Sequence, residues 1–203
     1  MLNYLTPGDI IISTPYINKG LVFDKAVILI ISHDKNGTAG IILNKFLNNL
    51  NGNEILKSLQ TDSINKEAEA NDATINLPVY FGGPIEQEKG IILHSNDYKS
   101  IPSIKITSDI IISSNSKIIA DIVSNNGPVH KALILGYASW NAEQLVEEIK
   151  RNDWLLLNNQ KNNKTSTAAF KLLFLEDNLY RWKYALKLAG VSLTNYASNA
   201  GHA

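Results

Sequence analysis

Residues 25–44 read KAVILIISHDKNGTAGIILN, two apolar runs on either side of HDKNGT. Asn36 and Gly37 both accept positive φ, so the pair marks a tight hairpin turn. Neither arm alternates apolar with polar residues. A strand that is apolar on both sides is covered on both sides, so this hairpin is expected at the centre of a sheet.

Working outward, residues 8–14 (GDIIIST) read as a strand closed by Pro15, which cannot donate to a ladder. Beyond the hairpin, NEILKSLQ is expected as a short helix, with Asn53 as N-cap and Ile55, Leu56 and Leu59 turned inward. Residues 61–76 are polar and lack periodicity, which predicts a loop inserted within one domain spanning 1–203. PVYFGG and KGIILHS suggest a second hairpin joined through PIEQE, and IKITSDIIISS a further strand. In SKIIADIVSNNG, Ile118, Ile119, Ile122 and Val123 form one helical stripe, stopped by Gly127 and Pro128. KALILGYA and NDWLLLNN read as two more strands, with a polar loop over 158–168 after them. A last helix starts near Leu179, carries Trp182, Leu186 and Ala189 on one face, and is capped by Gly190. Hairpins mixed with helices, without regular β-α-β alternation, predict the α+β class.

Composition narrows the chemistry. The 203 residues hold 19 basic and 19 acidic side chains, a formal net charge of zero, so there is no global surplus to neutralise nucleic-acid phosphates. The chain has no cysteine, which removes disulfides, thiolate catalysis and cysteine-ligated metal. The longest apolar run, AVILII at 26–31, is too short to cross a bilayer, and the first residues lack the pattern of a signal peptide. A cytoplasmic location is the expectation.

The stretch ALILGYASWNAEQLVEEI (132–149) looks like a strand, a turn holding Ser139 and a helix, the order that presents a nucleophile in many hydrolases. A nucleophile elbow needs small residues around the serine, whereas here Tyr137 and Asn141 occupy the glycine positions and Trp140 follows directly. The structural reading is a turn after Ala138. Asn141 then caps the helix with Gln144 closing a capping box, and Trp140 and Leu145 form a hydrophobic staple. Gly136 either ends the strand or lets another backbone approach.

The remaining candidates are weaker. FGGP could aim amides at an anion, but no Lys-Ser or Lys-Thr follows. His33, His94 and His130 stand at strand ends without metal-ligand spacing, which predicts solvated side chains, and His202 lies near the C-terminus. Glu147 and Glu148 read as a solvated helix face. Lys161, Lys164 and Lys171 are the one basic cluster, with no helix-turn-helix to place beside it. No catalytic residue, metal site or cofactor is expected. A ligand cleft, if one exists, is expected at strand-end turns holding Asn44, Gly82, Gly83 and Trp140.

Seven strings occur in order along nearly the whole chain: YLTPGDIIIS, GTAGIILNK, PVYFGGPI, GIILH, LGYASWNAEQLVEEI, RNDWL and RWKYALKLAG. In these the chain resembles the AlgH/YqgE family of bacterial proteins. The resemblance implies a mixed, largely antiparallel bifurcated sheet curled into a barrel-like core with flanking helices. It implies no established catalytic residue and no recognised DNA-binding module. This chain has Ser139, Asn141 and Glu143 where relatives usually have glycine, and Ile31 where some carry cysteine. By name the family is tied to transcriptional regulation. The charge balance then predicts action through a protein partner without direct nucleic-acid contact, with small-molecule binding or an enzyme activity as the alternative. Oligomeric state is not legible.

Overall fold

The computed structural model describes residues 5–15, 20–52, 54–55, 77–99, 102–141, 143–157 and 165–192. The expected loop at 61–76, Asn53, Leu56, Leu59, Lys161, Lys164 and His202 lie outside them.

Among the described residues nine strands form one sheet: β1 (Ile10–Ser13), β2 (Val27–Asp34), β3 (Gly37–Ile42), β4 (Val79–Phe81), β5 (Ile85–Ser95), β6 (Ser103–Lys105), β7 (Ile110–Ser113), β8 (Lys131–Asn141) and β9 (Trp154–Leu157). Their order is β6-β7-β5-β8-β3-β2-β1-β9, with β4 attached to β8 off this path. The helices are α1 (Ser116–Val123), α2 (Gln144–Lys150), α3 (Thr165–Phe170), a π-helical turn (Lys171–Leu175) and α4 (Arg181–Leu188). The sheet is mostly antiparallel and curls into a half-barrel.

The β2–β3 hairpin is central, as its continuous apolar arms require. Val27 and Leu29 enter one core with Ile10, Ile12, Ile41 and Leu43, while Ile28 and Ile30 enter a second with Ile11 and Ile42. Successive side chains of a strand point to opposite faces, so two cores demand two apolar sets. The first core lies under α3, the π-turn and α4; the second lies under α2. A third packs Ile118 and Ile122 of α1 on Val79, Ile92 and Leu133. Asn115 Oδ1 accepts the Ile118 amide (3.0 Å) and caps α1. At the end of α4, Gly190 at φ +77° lets the amides of Val191 and Gly190 reach the Leu186 and Lys187 carbonyls, a Schellman closure.

Several expectations are corrected. PVYFGG and KGIILHS do not pair with each other: β4 runs parallel and β5 antiparallel to β8, which stands between them. IKITSDIIISS is two strands, β6 and β7, turned where Thr107 Oγ1 accepts the Ile110 amide (3.0 Å). The loop expected to reach 168 gives way to α3 at Thr165. In the central turn Asn36 is not among the positive-φ residues. Instead the Asp34 carboxylate accepts its amide (2.7 Å), and only Gly37 takes positive φ. Finally, β8 does not stop at Ala138 but continues through Ser139 to Asn141, paired with β3. The turn begins three residues later because β3 offers a second ladder. Glu143 stands at the helix N-cap position, and of the expected capping box one bond remains, Asn141 N–H to Gln144 Oε1 (3.3 Å).

Candidate functional site

The point where the sheet divides is built on β8. Its first half, Lys131–Tyr137, has β5 on one side and β4 on the other; its last residues turn to β3. β4 is driven between β8 and β3 like a wedge. The Gly82 amide donates to the Leu135 carbonyl (2.8 Å), and the Gly82 carbonyl accepts the Ile42 amide (2.9 Å). Behind it the Phe81 amide donates to Lys45 and the Leu47 amide to Val79 (2.8 and 2.9 Å). Such a junction brings backbones closer than side chains allow. A Cβ on Gly82 would stand 2.2 Å from the Gly136 carbonyl oxygen, and one on Gly83 2.1 Å from the Tyr137 carbonyl carbon. Gly136 sits at φ +73° directly across from them. The two glycine strings of the sequence are therefore two halves of one contact.

The other members of the sequence-predicted cleft hold posts around this fork. Asn44 Oδ1 accepts the Val27 amide (2.9 Å) and its Nδ2 donates to the Lys25 carbonyl (2.7 Å), clamping Lys25 in its left-handed conformation. Trp140 is buried in the second core, where it meets Trp154 edge-on at 6.0 Å and Phe23 at 6.2 Å. Ser139 is exposed opposite Ala39. A shallow open depression lies elsewhere, between Phe46–Gly52 and Leu77–Val79, and none of the four residues lines it.

The sequence pattern predicts a solvated Glu148. It is half-buried because one of its carboxylate oxygens accepts both indole N–H groups, from Trp140 (2.9 Å) and Trp154 (2.7 Å), and the other accepts Gln144 Nε2 (2.9 Å). Glu148→Ala leaves two indole donors unpaired and is expected to cost about 1–3 kcal/mol. Glu148→Gln, which keeps an oxygen for them, should cost clearly less. Urea unfolding followed by tryptophan fluorescence separates the two variants.

Of the histidines, His94 departs most from the solvated expectation, being wholly buried. Its Nδ1 lies 2.9 Å from the Ser95 carbonyl, which can only accept, so Nδ1 carries the proton and Nε2 accepts from the Ser113 hydroxyl at 3.0 Å. Burial pushes the imidazole below its ordinary pKa, against the smaller opposing pull of the Ser95 carbonyl and Asp97. The sign follows. Below about 6.5, the ordinary value for histidine, the unfolded chain takes up a proton that folded His94 refuses. Stability is therefore expected to fall as pH drops from 7.5 towards 5, and His94→Asn should flatten that slope in urea-unfolding series. Asp97 titrates in a separate, more acidic window. Burial raises it, but hydrogen bonds from Ser95 Oγ and the Val129 amide outweigh that and leave it below the usual carboxylate value. His33 bonds Thr38 Oγ1 (2.7 Å), and His130 meets Phe170 edge-on at 5.1 Å and Phe174 tilted at 5.6 Å, and both histidines are half-buried.

One residue with no place in the sequence reading anchors the helical face. Arg181 is 4% exposed. Its guanidinium donates to the carbonyls of Leu43, Leu173 (2.7 Å) and Glu176 (3.1 Å) and to the Tyr80 hydroxyl (3.0 Å), and lies 5.0 Å over the Tyr80 ring. Only the side-chain amide of Asn178, at 3.5 Å, adds to this set, and no carboxylate forms an ion pair with it among the described residues. The signal was available: Arg181 stands four residues before Ala185, on the same inward stripe as Trp182. Among the described residues no group of three or more potential ligands could hold a metal ion.

A bifurcated, mostly antiparallel sheet curled into a half-barrel and flanked by helices defines the α+β class to which the chain is assigned. A model of the AlgH-like family matches residues 10–194, and the chain belongs to that family. Among its relatives, a UPF0301 protein of Rickettsia prowazekii (strain Madrid E) is 32% identical over 196 residues, covering 97% of this chain and 95% of the relative. One of Rickettsia africae (strain ESF-5) is 31% identical over the same shares. The solution structure of the AlgH protein from Pseudomonas aeruginosa superposes with a TM-score of 0.68 at 25% identity, over 96% of this chain and 94% of that one. The crystal structure of protein DIP2367 from Corynebacterium diphtheriae shares the fold with a TM-score of 0.53 at 18% identity, over 77% of each chain.

Proposed function

We propose that this chain is a cytoplasmic regulatory protein of the AlgH type that acts through a protein partner and does not itself grip DNA. The observation that supports this reading is where the side chains of interest are spent. Asn44, Glu148, Arg181 and His94 all satisfy backbone or core groups, so the chemistry they carry is used to hold the fork and the helices in place. Charge balance agrees, with 19 basic against 19 acidic residues. No helix among the described residues is long and apolar enough to cross a membrane. The test is binding of purified protein to mixed genomic DNA fragments at low and then moderate salt. No complex at low salt is the expected result. A complex that weakens steeply with salt reports phosphate contact and sinks the partner-mediated reading.

A further inference from the structure

Around the start of α4 the ordinary distribution of polarity is reversed. Arg181 is buried, while Leu179 is 80% exposed, Leu175 60% and Tyr180 56%. Scattered exposed leucines are common, but three large apolar side chains exposed within six residues, beside a buried charge, are a concentration of apolar surface of the kind that marks contact sites. The patch does not result from a loose turn. Tyr180 and Arg181 amides donate to the Asp177 carbonyl (2.9 and 3.1 Å), the Leu179 amide to Asp177 Oδ1 (2.9 Å), and Arg181 Nε to the Glu176 carbonyl (3.1 Å). The buried guanidinium thus holds the turn so that its leucines face outward.

The charges around this patch are predominantly positive. Lys183 and Lys187 are exposed and lie four residues apart on one line of the α4 surface, and Leu179 stands in the turn four residues before Lys183. Lys171, also exposed, precedes Leu175 by four. Lys25 reaches over the Trp182 ring at 5.9 Å from the neighbouring loop. The segment Arg181–Leu188 contains no acidic residue, and the two carboxylates just before it in the sequence are half-buried Glu176 and exposed Asp177, whose Oδ1 accepts the Leu179 amide. In a chain of zero net charge this is a local concentration of cations framing an apolar centre, the layout of an interface with a charged rim.

We infer that the outer face of the π-turn and α4 docks an acidic segment of a partner protein that carries apolar anchors, the leucines and Tyr180 taking the anchors and Lys171, Lys183 and Lys187 the carboxylates. The inference rests on the partner-mediated reading above and supplies the surface and the chemistry of the partner.

The experiment is an amide NMR titration of the full chain at low salt with a synthetic glutamate-rich peptide bearing leucines at helical spacing. Shifts confined to residues 171–188, with affinity that falls as salt rises, are expected. Leu179→Ser and the double variant Lys183→Glu/Lys187→Glu should each weaken the peptide by about tenfold or more, the scale of 1.4 kcal/mol per decade. All three positions are exposed, so the unfolding midpoint should stay put. No shifts at low salt, shifts elsewhere, or indifference to both variants overturns the inference. So does equal binding of polyglutamate without leucines, which would mark a plain cationic surface. An oligonucleotide run in parallel separates the two failures. If DNA shifts these same residues, the partner-mediated reading falls as well; if neither probe binds, only the docking surface does.

Discussion

Gly136→Ala is expected to destabilise the protein by about 2–5 kcal/mol, a large part of a typical domain's stability. Two costs combine. At φ +73° an L-residue enters the left-handed region, worth roughly 1–2 kcal/mol. The new methyl would also stand 2.5 Å from the Gly83 carbonyl oxygen and 2.8 Å from that of Ile85, and forcing backbone apart in a packed junction costs about 1–3 kcal/mol more. Gly190→Ala is the matched control, because Gly190 has φ +77° with nothing within 4 Å of a built Cβ. Urea midpoints of the two variants, measured side by side, isolate the steric part. Equal losses would mean that β4 can slide out of the fork without cost, and that the wedge is not a fixed joint.

Arg181→Met is the second large effect, expected at about 3–5 kcal/mol, because several acceptors lose their donor at once at about 1–3 kcal/mol for each one left unsatisfied. Methionine fills similar space, so the loss reports unmade hydrogen bonds more than a cavity. The carbonyls of Leu43, Leu173 and Glu176 and the Tyr80 hydroxyl would lose their donor together, and a buried acceptor left alone keeps its full desolvation cost. The carbonyls come from three places: the end of the β3 arm, the π-turn and the turn before α4. Arg181 is therefore the clamp between sheet and helices. The wider π-turn helps, since Leu173 can offer its carbonyl inward to Arg181 Nη2. Tyr80→Phe, which removes a single acceptor, should cost only about 1 kcal/mol. A thermal unfolding series that found Arg181→Met no worse than Tyr80→Phe would contradict the clamp.

The two variants also show why parts of the fold were legible and parts were not. The β2–β3 hairpin could be read because its arms must be apolar on both faces wherever they lie in a sheet, and the stripe of α1 because Ile118 and Ile122 recur at helical spacing. PVYFGG was readable as a strand but not as a wedge, because its parallel partner lies more than fifty residues away and periodicity carries no partner's address. The same limit moved the end of β8. Local signals at Trp140 and Asn141 favour a helix start, yet pairing with Gly37–Gly40 supplies ladder bonds that hold them in a strand. Glu148 and His94 read as solvated in the sequence for a related reason: a polar residue's burial depends on whether the fold brings it a partner, and theirs are indoles and a hydroxyl from other elements.

By itself the sequence determined the α+β class, the central hairpin, the absence of thiol chemistry and, through ordered strings such as PVYFGGPI and LGYASWN, the family. These rest on local periodicity, composition and motif order, which need no knowledge of contacts. Only the tertiary structure decided that Gly82, Gly83 and Gly136 meet at one fork, that Arg181 points inward among carbonyls, and that Leu175, Leu179 and Tyr180 are left facing solvent beside three lysines. Each of these depends on which distant backbone comes within hydrogen-bonding or van der Waals reach, and that is set by the packing of the whole sheet against its helices.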